Sequence, residues 1–130
     1  MNAPDPLLYT LQHEWIRVEG ATAGVGITDF AQHALGDITF VELPAVGRSL
    51  RKGDEAAAIE SCKAAAGVFA PSAGTVVESN QALAQQPELV NQDPYGAGWI
   101  YKMKLADQAD LAGLMNAAQY VEYCGKEASQ

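Results

Sequence analysis

Apolar and polar residues alternate over several short stretches of the chain, which is typical of strands with one buried face. In residues 15–27 two such stretches are separated by Gly20, which predicts a hairpin. In residues 99–105 four apolar residues share one face, and Lys102 and Lys104 share the other. Further extended stretches, each bounded by Gly, Pro or Asp, are predicted at residues 38–43, 56–61, 67–70 and 75–78.

The spacing changes to a helical period in two regions. Residues 28–35 predict a short helix that Thr28 caps and Gly36 ends. After Asp107, the stripe of Leu111, Leu114 and Met115 predicts one C-terminal helix. A second begins after Asn116, and both are expected to lie over one edge or end of the β core.

Composition favours one folded unit that is mainly β. The chain has 130 residues, of which 48% are hydrophobic and 18% charged, so we expect a single domain over residues 1–130 with an irregular lead at residues 1–7. Short strands with frequent turns predict a small β-barrel or sandwich, an α+β arrangement once the helices are added.

The net charge indicates which kinds of partner to expect, and the N-terminal sequence indicates the compartment. The net charge of −8 disfavours nucleic acid and favours partner proteins with basic docking faces. The first ten residues have neither a basic region nor a long apolar run, and no stretch approaches a membrane span, so we expect a cytoplasmic protein.

The cysteines and histidines suggest no metal site or catalytic pair. Cys62 and Cys124 are expected to be free thiols that pack, Cys124 on the stripe of the last helix. His13 and His33 are too far apart in sequence to predict a metal site, and both are expected to be structural.

The segment IESCKAAAGVFAP, residues 59–71, contains a single lysine, Lys63, among mostly small and apolar residues. Strands are predicted on both sides, so Lys63 should project its amine from a tight turn. On spacing alone an ordinary solvated turn lysine is the favoured interpretation.

The string ESCKAA resembles the lipoylation signature of glycine cleavage H proteins. Other stretches are similar to the same family in the same order: HEW, VGITDFAQ, LGDITFVELPAVG, NQDPYGAGWIYKMK and LMNAAQY. The resemblance covers residues 9–123, and its collinear motifs favour the family over a lone turn lysine.

The resemblance implies a barrel-sandwich hybrid of two antiparallel sheets related to lipoyl and biotinyl domains. It implies lipoate joined as an amide to Lys63, within a signature context of Glu60, Ser61, Cys62 and Ala64. It also implies a non-catalytic carrier in glycine catabolism. The carrier would shuttle the aminomethyl group of glycine, and reducing equivalents, between glycine decarboxylase, aminomethyltransferase and dihydrolipoamide dehydrogenase, after lipoate-attaching enzymes have modified it.

The resemblance further implies that Glu14, the acidic residue of the HEW motif, helps to dock the loaded arm. The alternative for Glu14 is an ordinary solvated carboxylate. Cys62 stands where the family usually has valine, and a thiol beside a lipoyl lysine could form a mixed disulfide with it. Ala66 and Gly67 replace hydroxyl and acidic residues, so one family contact to the arm is expected to be missing.

Two other functions compete with this carrier. An enzyme would use Lys63 for a Schiff base or Cys62 as a nucleophile, but the segment offers only Glu60 as a neighbouring acid or base. A lipoyl donor or relay protein that serves another lipoate-dependent complex would use the same ESCKAA turn.

Overall fold

The computed structural model describes residues 3–128 of the chain. Its strands and α-helices, in chain order, are β1 (Leu8–Tyr9), β2 (Glu14–Glu19), β3 (Thr22–Ile27), α1 (Asp29–Leu35), β4 (Ile38–Glu42), β5 (Ser49–Leu50), β6 (Glu55–Ser61), β7 (Ala65–Phe69), β8 (Gly74–Ser79), α2 (Leu89–Gln92), β9 (Tyr101–Leu105) and α3 (Ala117–Ala128). Single 3-10 turns lie at Gln81–Ala84 and Gln108–Leu111.

The strands form two antiparallel sheets, as predicted. One sheet has six strands in the order β1-β2-β3-β9-β8-β5, and the other has three in the order β4-β6-β7. No strand pairing among the described residues joins the two sheets, so the architecture is a sandwich of two sheets and not a closed barrel.

The predicted hairpin forms from β2 and β3, and the predicted strands recur as β4, β6, β7, β8 and β9. Gly20 begins the hairpin turn with a φ of 64°, a conformation that glycine adopts without steric cost. The main core lies between the sheets, where Ile59 and Val68 of the small sheet and Val25 of the large sheet are fully buried. Burial of these apolar faces holds the two layers together.

The first half of strand β2 is buried on both of its faces. Ile16 belongs to the main core, whereas Trp15 belongs to a second apolar cluster with Tyr9, Tyr95 and Tyr120. This second cluster lies between the outside of the large sheet and α3, and Trp15 donates from Nε1 to the carbonyl of Pro94 at 2.9 Å. Residues at the start of β2 are therefore screened from solvent by two different packing layers.

Helices α1 and α3 begin where the sequence predicts. The hydroxyl of Thr28 accepts from the amide of Ala31 at 3.2 Å, and α1 ends at Gly36 with a φ of 78°. Before α3, Asn116 and Gln119 each accept a side-chain hydrogen bond from the other's amide, both at 2.9 Å.

The predicted first C-terminal helix is wrong in extent, because only the 3-10 turn Gln108–Leu111 forms there. The carboxylate of Asp110 accepts instead from the amide of Ala73 at 3.1 Å, which holds the segment against the start of β8. Met115 then exchanges backbone hydrogen bonds with Tyr9 at 2.8 and 2.9 Å. These tertiary contacts compete successfully with a weak local helical pattern. None of the helices among residues 3–128 has the length and apolarity to cross a membrane.

Candidate functional site

Lys63 lies in the turn that joins β6 to β7, and Ser61 organises this turn. The amide of Ser61 donates to the carbonyl of Ala64 at 2.8 Å. The hydroxyl of Ser61 accepts from the amides of Lys63 and Ala64 at 3.3 and 3.1 Å. The amide of Cys62 donates to the carbonyl of Asp37 at 3.3 Å and so ties the turn to the start of β4. The turn therefore presents Lys63 from a backbone that hydrogen bonds fix on several sides.

The side chain of Lys63 is exposed and lies against the end of α1. A Cβ atom at Gly36 would stand 3.1 Å from Cε of Lys63 and 3.7 Å from its Nζ. Gly36 has a φ of 78° and a ψ of −158°, a region that favours glycine. The apolar stem of Lys63 thus has a surface to rest on, while the amine points to solvent as the sequence predicts.

The other residues of the signature surround this turn. Glu60 and Ala64 are exposed, and the thiol of Cys62 is free and exposed, so the expected packing of Cys62 is not found. An open turn of this kind lacks the recess in which Schiff-base lysines and catalytic thiols are activated. The setting of the turn therefore does not support the enzyme alternative.

Glu14 is buried, so it is not the solvated carboxylate of the alternative interpretation. Its side chain is 1% exposed and accepts from the hydroxyl of Thr10 at 2.6 Å and from the amide of Phe69 at 3.0 Å. Burial raises the pKa of the Glu14 carboxyl, against the opposing effect of these two hydrogen bonds. Glu14 therefore joins the large sheet to the free edge of β7.

Glu14 and Lys63 lie towards opposite ends of β7. Phe69, the hydrogen-bond partner of Glu14, is about 20 Å from Lys63 along an extended chain. Glu14 and Phe69 both line a cavity of about 540 Å³. The rest of its wall is formed by residues 9–12, 52–53, 70–71 and 113–115. Any contact between Glu14 and a group attached to Lys63 requires that group to extend along β7.

Gly67 lies on β7 between these two positions, where the family usually has an acidic residue. A Cβ atom there would stand 3.0 Å from Cζ of Phe69 and 3.2 Å from Cδ of Glu55. The space beside Gly67 is thus already bordered by an aromatic ring and a carboxylate.

His13 and Cys124 belong to the second apolar cluster and its border. The Nδ1 atom of His13 is 2.7 Å from the hydroxyl of Tyr120, and the ring stacks on Phe30 at 4.7 Å. Cys124 is buried, as its place on the helical stripe predicts. Among the described residues, no three His, Cys, Asp or Glu side chains are placed to hold a metal ion.

The raised pKa of Glu14 gives a pH-dependent effect on stability. A carboxyl whose pKa is higher in the folded than in the unfolded chain binds its proton more tightly when folded. As the pH falls from 7 through that pKa, the wild type should therefore gain free energy of unfolding relative to Glu14→Gln, which has no titrating group at this position.

Urea unfolding of both proteins at pH 7 and at pH 5 measures this effect. Glu19→Gln, a change at an exposed carboxylate on the same strand, is the matched control for the loss of one carboxylate. A Glu14→Gln difference that stays constant, or that moves in favour of the variant at pH 5, would contradict the raised pKa.

Comparisons of sequence and of structure both find similarity to glycine cleavage H proteins. The family model described as glycine cleavage H-protein matches residues 7–127. The chain is 52% identical over 128 residues to the glycine cleavage system H protein of Thermus thermophilus, covering 98% of this chain and 100% of the relative. It is 54% identical over 113 residues to that of Bradyrhizobium diazoefficiens, covering 87% and 93%. A crystal structure of a glycine cleavage system H protein from Mycobacterium marinum superposes with a TM-score of 0.83 at 37% identity, covering 96% of this chain and 98% of that one.

Proposed function

The chain belongs to the glycine cleavage H-protein family, and we propose that it carries lipoate as an amide on Lys63. The observation that carries this choice of residue is the exposed amine of Lys63 in the β6–β7 turn, within the ESCKAA signature. The exposed stem and the small neighbours Ala64 and Ala65 leave the amine open to a modifying enzyme. These features fit a covalently attached arm.

Attachment uses the amine of Lys63 as the nucleophile. The deprotonated amine attacks the carboxyl carbon of an activated lipoyl ester such as an acyl adenylate. The amide bond forms, the bond from the acyl carbon to the leaving oxygen breaks, and the amine's proton passes to solvent. The positive charge of Lys63 is lost in this step. When bound, lipoate supplies a disulfide that opens to take up the aminomethyl group of glycine and is restored by oxidation.

The residues of this chain hold and aim that arm. Ser61 fixes the turn, so that the arm swings from a defined anchor and its reactive end stays at a high local concentration near each partner. The cavity beside Glu14 and Phe69 is the proposed resting place of the loaded arm, where Glu14 would act as a hydrogen-bond acceptor. The chain itself forms no bond to glycine, and its role is that of a non-catalytic carrier.

The proposed partners are the other components of the glycine cleavage system. We propose glycine decarboxylase, aminomethyltransferase and dihydrolipoamide dehydrogenase as the three enzymes that use the arm, and the cytoplasm as the place of action. An enzyme that attaches lipoate must act before them. The acidic surface, with a net charge of −8, suits basic docking faces on these proteins.

Mass measurement tests the proposal. The intact protein should gain the mass of one lipoyl group when it is expressed with lipoate and a lipoate ligase. Without them, its mass should be that of the unmodified chain. Reconstituted glycine decarboxylation with the purified lipoylated protein should then proceed, which distinguishes glycine cleavage from a lipoyl-donor role. Absence of the lipoyl mass from the wild type would disprove the carrier proposal.

A further inference from the structure

The three-stranded sheet has one face in the core and one face in solvent. The cross-strand register places six residues on the solvent side, here called the outer face, namely Phe40, Glu42, Ala58, Glu60, Ala65 and Gly67. The residues between them, Val41, Ile59 and Val68, are buried in the core. The outer face ends at the turn that carries Lys63, so it is the part of the sheet surface that flanks the modification site.

Phe40 is the large apolar side chain at the β4 edge of this outer face, whereas the ring of Phe69 lies beside Gly67 on β7. A register shift between Ile38 and Phe40 inserts Thr39 as an extra residue, so Phe40 turns away from the core that contains Ile38. Its side chain is 52% exposed. Its cross-strand partner on β6 is Glu60, and Ala58, the next outer residue of β6, is small. An exposed aromatic side chain of this kind has the form of an anchor for a partner's pocket.

The charges around Phe40 are mainly acidic. Glu42 and Glu60 are exposed, Asp37 lies at the start of β4, and no ion pair within residues 3–126 involves any of the three. Arg48 lies near Glu42 at the end of the sheet away from Lys63, where its guanidinium donates to the carbonyl of Glu55 at 2.9 Å. The cation at the Lys63 end is Lys63 itself, and acylation removes its charge. A partner at this end should therefore carry basic side chains.

Distance favours the attaching enzyme as that partner. Phe40 pairs with Glu60, which is about 10 Å along the strand from Lys63. Even a small transient interface covers roughly 600 Å² on each protein, a disc with a radius of about 14 Å. An enzyme that acylates Nζ must bring its active site to the turn itself, so its footprint reaches Phe40. The enzymes that act on the far end of the arm do not need this approach.

We propose that the outer face, anchored by Phe40 and bordered by Glu42 and Glu60, is the docking surface for the enzyme that acylates Lys63. That enzyme presents an apolar recess lined by basic side chains. The inference rests on the proposed attachment of lipoate to Lys63. It adds a recognition role for residues that do not react.

Lipoylation rates of the whole protein test the apolar anchor. With a lipoate ligase, ATP and lipoate, intact mass spectrometry should show a fall of at least about tenfold in kcat/KM for Phe40→Ala. Val77→Ala is the matched control, because Val77 is also an exposed apolar strand residue, at 44%, but lies in the large sheet. Its rate should equal that of the wild type, and both variants should keep the wild-type unfolding midpoint.

A substitution of Glu60 tests the acidic border of the outer face. Glu60→Gln should raise KM about two- to fivefold and reduce the dependence of kcat/KM on salt, since a screened attraction has been removed. Glu19→Gln, on the large sheet, should change neither. If the wild type is lipoylated and Phe40→Ala is lipoylated at the same rate, this proposal is wrong while Lys63 stands as the attachment site.

A different result would assign the face to another partner and also overturn the proposal. In that case Phe40→Ala would be lipoylated normally, yet once lipoylated it would support glycine decarboxylation more slowly than the lipoylated wild type. If the wild type gains no lipoyl mass, the attachment proposal itself fails.

Discussion

Replacing Lys63 by arginine is expected to abolish both lipoylation and glycine cleavage. Arginine keeps the positive charge and the length of the exposed side chain, but its guanidinium stays protonated and cannot form the amide. Intact mass spectrometry should therefore show no lipoyl increment on Lys63→Arg under conditions that fully modify the wild type. Reconstituted glycine decarboxylation should fall to the background of the enzymes without carrier.

The control for this prediction is Lys104→Arg. Lys104 is also an exposed lysine, but it lies on strand β9 in the large sheet. This variant should be lipoylated and active like the wild type, and both variants should unfold within about 0.5 kcal/mol of it, as is usual for surface changes. A lipoyl group on Lys63→Arg, found by peptide mapping on another lysine, would refute the assignment of the site.

Gly26→Ala should strongly destabilise the folded protein. A Cβ atom at Gly26 would lie 2.6 Å from Cζ2 and 2.7 Å from Nε1 of Trp15. Trp15 is fully buried and donates to the carbonyl of Pro94, so its ring cannot move aside without losing packing and this hydrogen bond. We expect a loss of about 3 kcal/mol in the free energy of unfolding, from overpacking together with the weakened hydrogen bond.

Gly24→Ala provides a matched control on the same strand. A Cβ atom at Gly24 would stand 3.8 Å from Cζ3 of Trp15, an ordinary van der Waals contact. Its unfolding free energy should stay within about 1 kcal/mol of the wild type, and alanine's smaller entropy loss should favour a gain. Urea unfolding followed by tryptophan fluorescence measures both. Equal stabilities for the two variants would mean that the Trp15 ring is not held as described.

Local sequence patterns predicted the elements whose stability depends on near neighbours. The β2–β3 hairpin follows from alternation around Gly20, and α1 follows from a cap at Thr28 and a glycine at its end. The exposure of Lys63 follows in the same way, because burying a charged side chain among small residues between two strands would be unfavourable. The choice of Lys63 as an attachment site came from resemblance to a family and not from spacing.

Short elements were beyond sequence-based prediction. Strands β1 and β5 and helix α2 have too few residues to show a period, and each depends on a partner element for its backbone hydrogen bonds or its packing. The first C-terminal helix was predicted and is replaced by a 3-10 turn. Asp110, within that segment, accepts a hydrogen bond from the amide of Ala73, a residue far away in the sequence.

The sequence by itself thus determined the β2–β3 hairpin, the helix caps and the exposed tip at Lys63, since each depends on contacts within a few residues. Only the tertiary structure decided that Glu14 is buried, because both faces of the first half of β2 are covered by layers distant in sequence. It also decided that Phe40 faces solvent, because one extra residue in β4 moves every later side chain to the opposite face. Alternation alone cannot reveal that inserted residue.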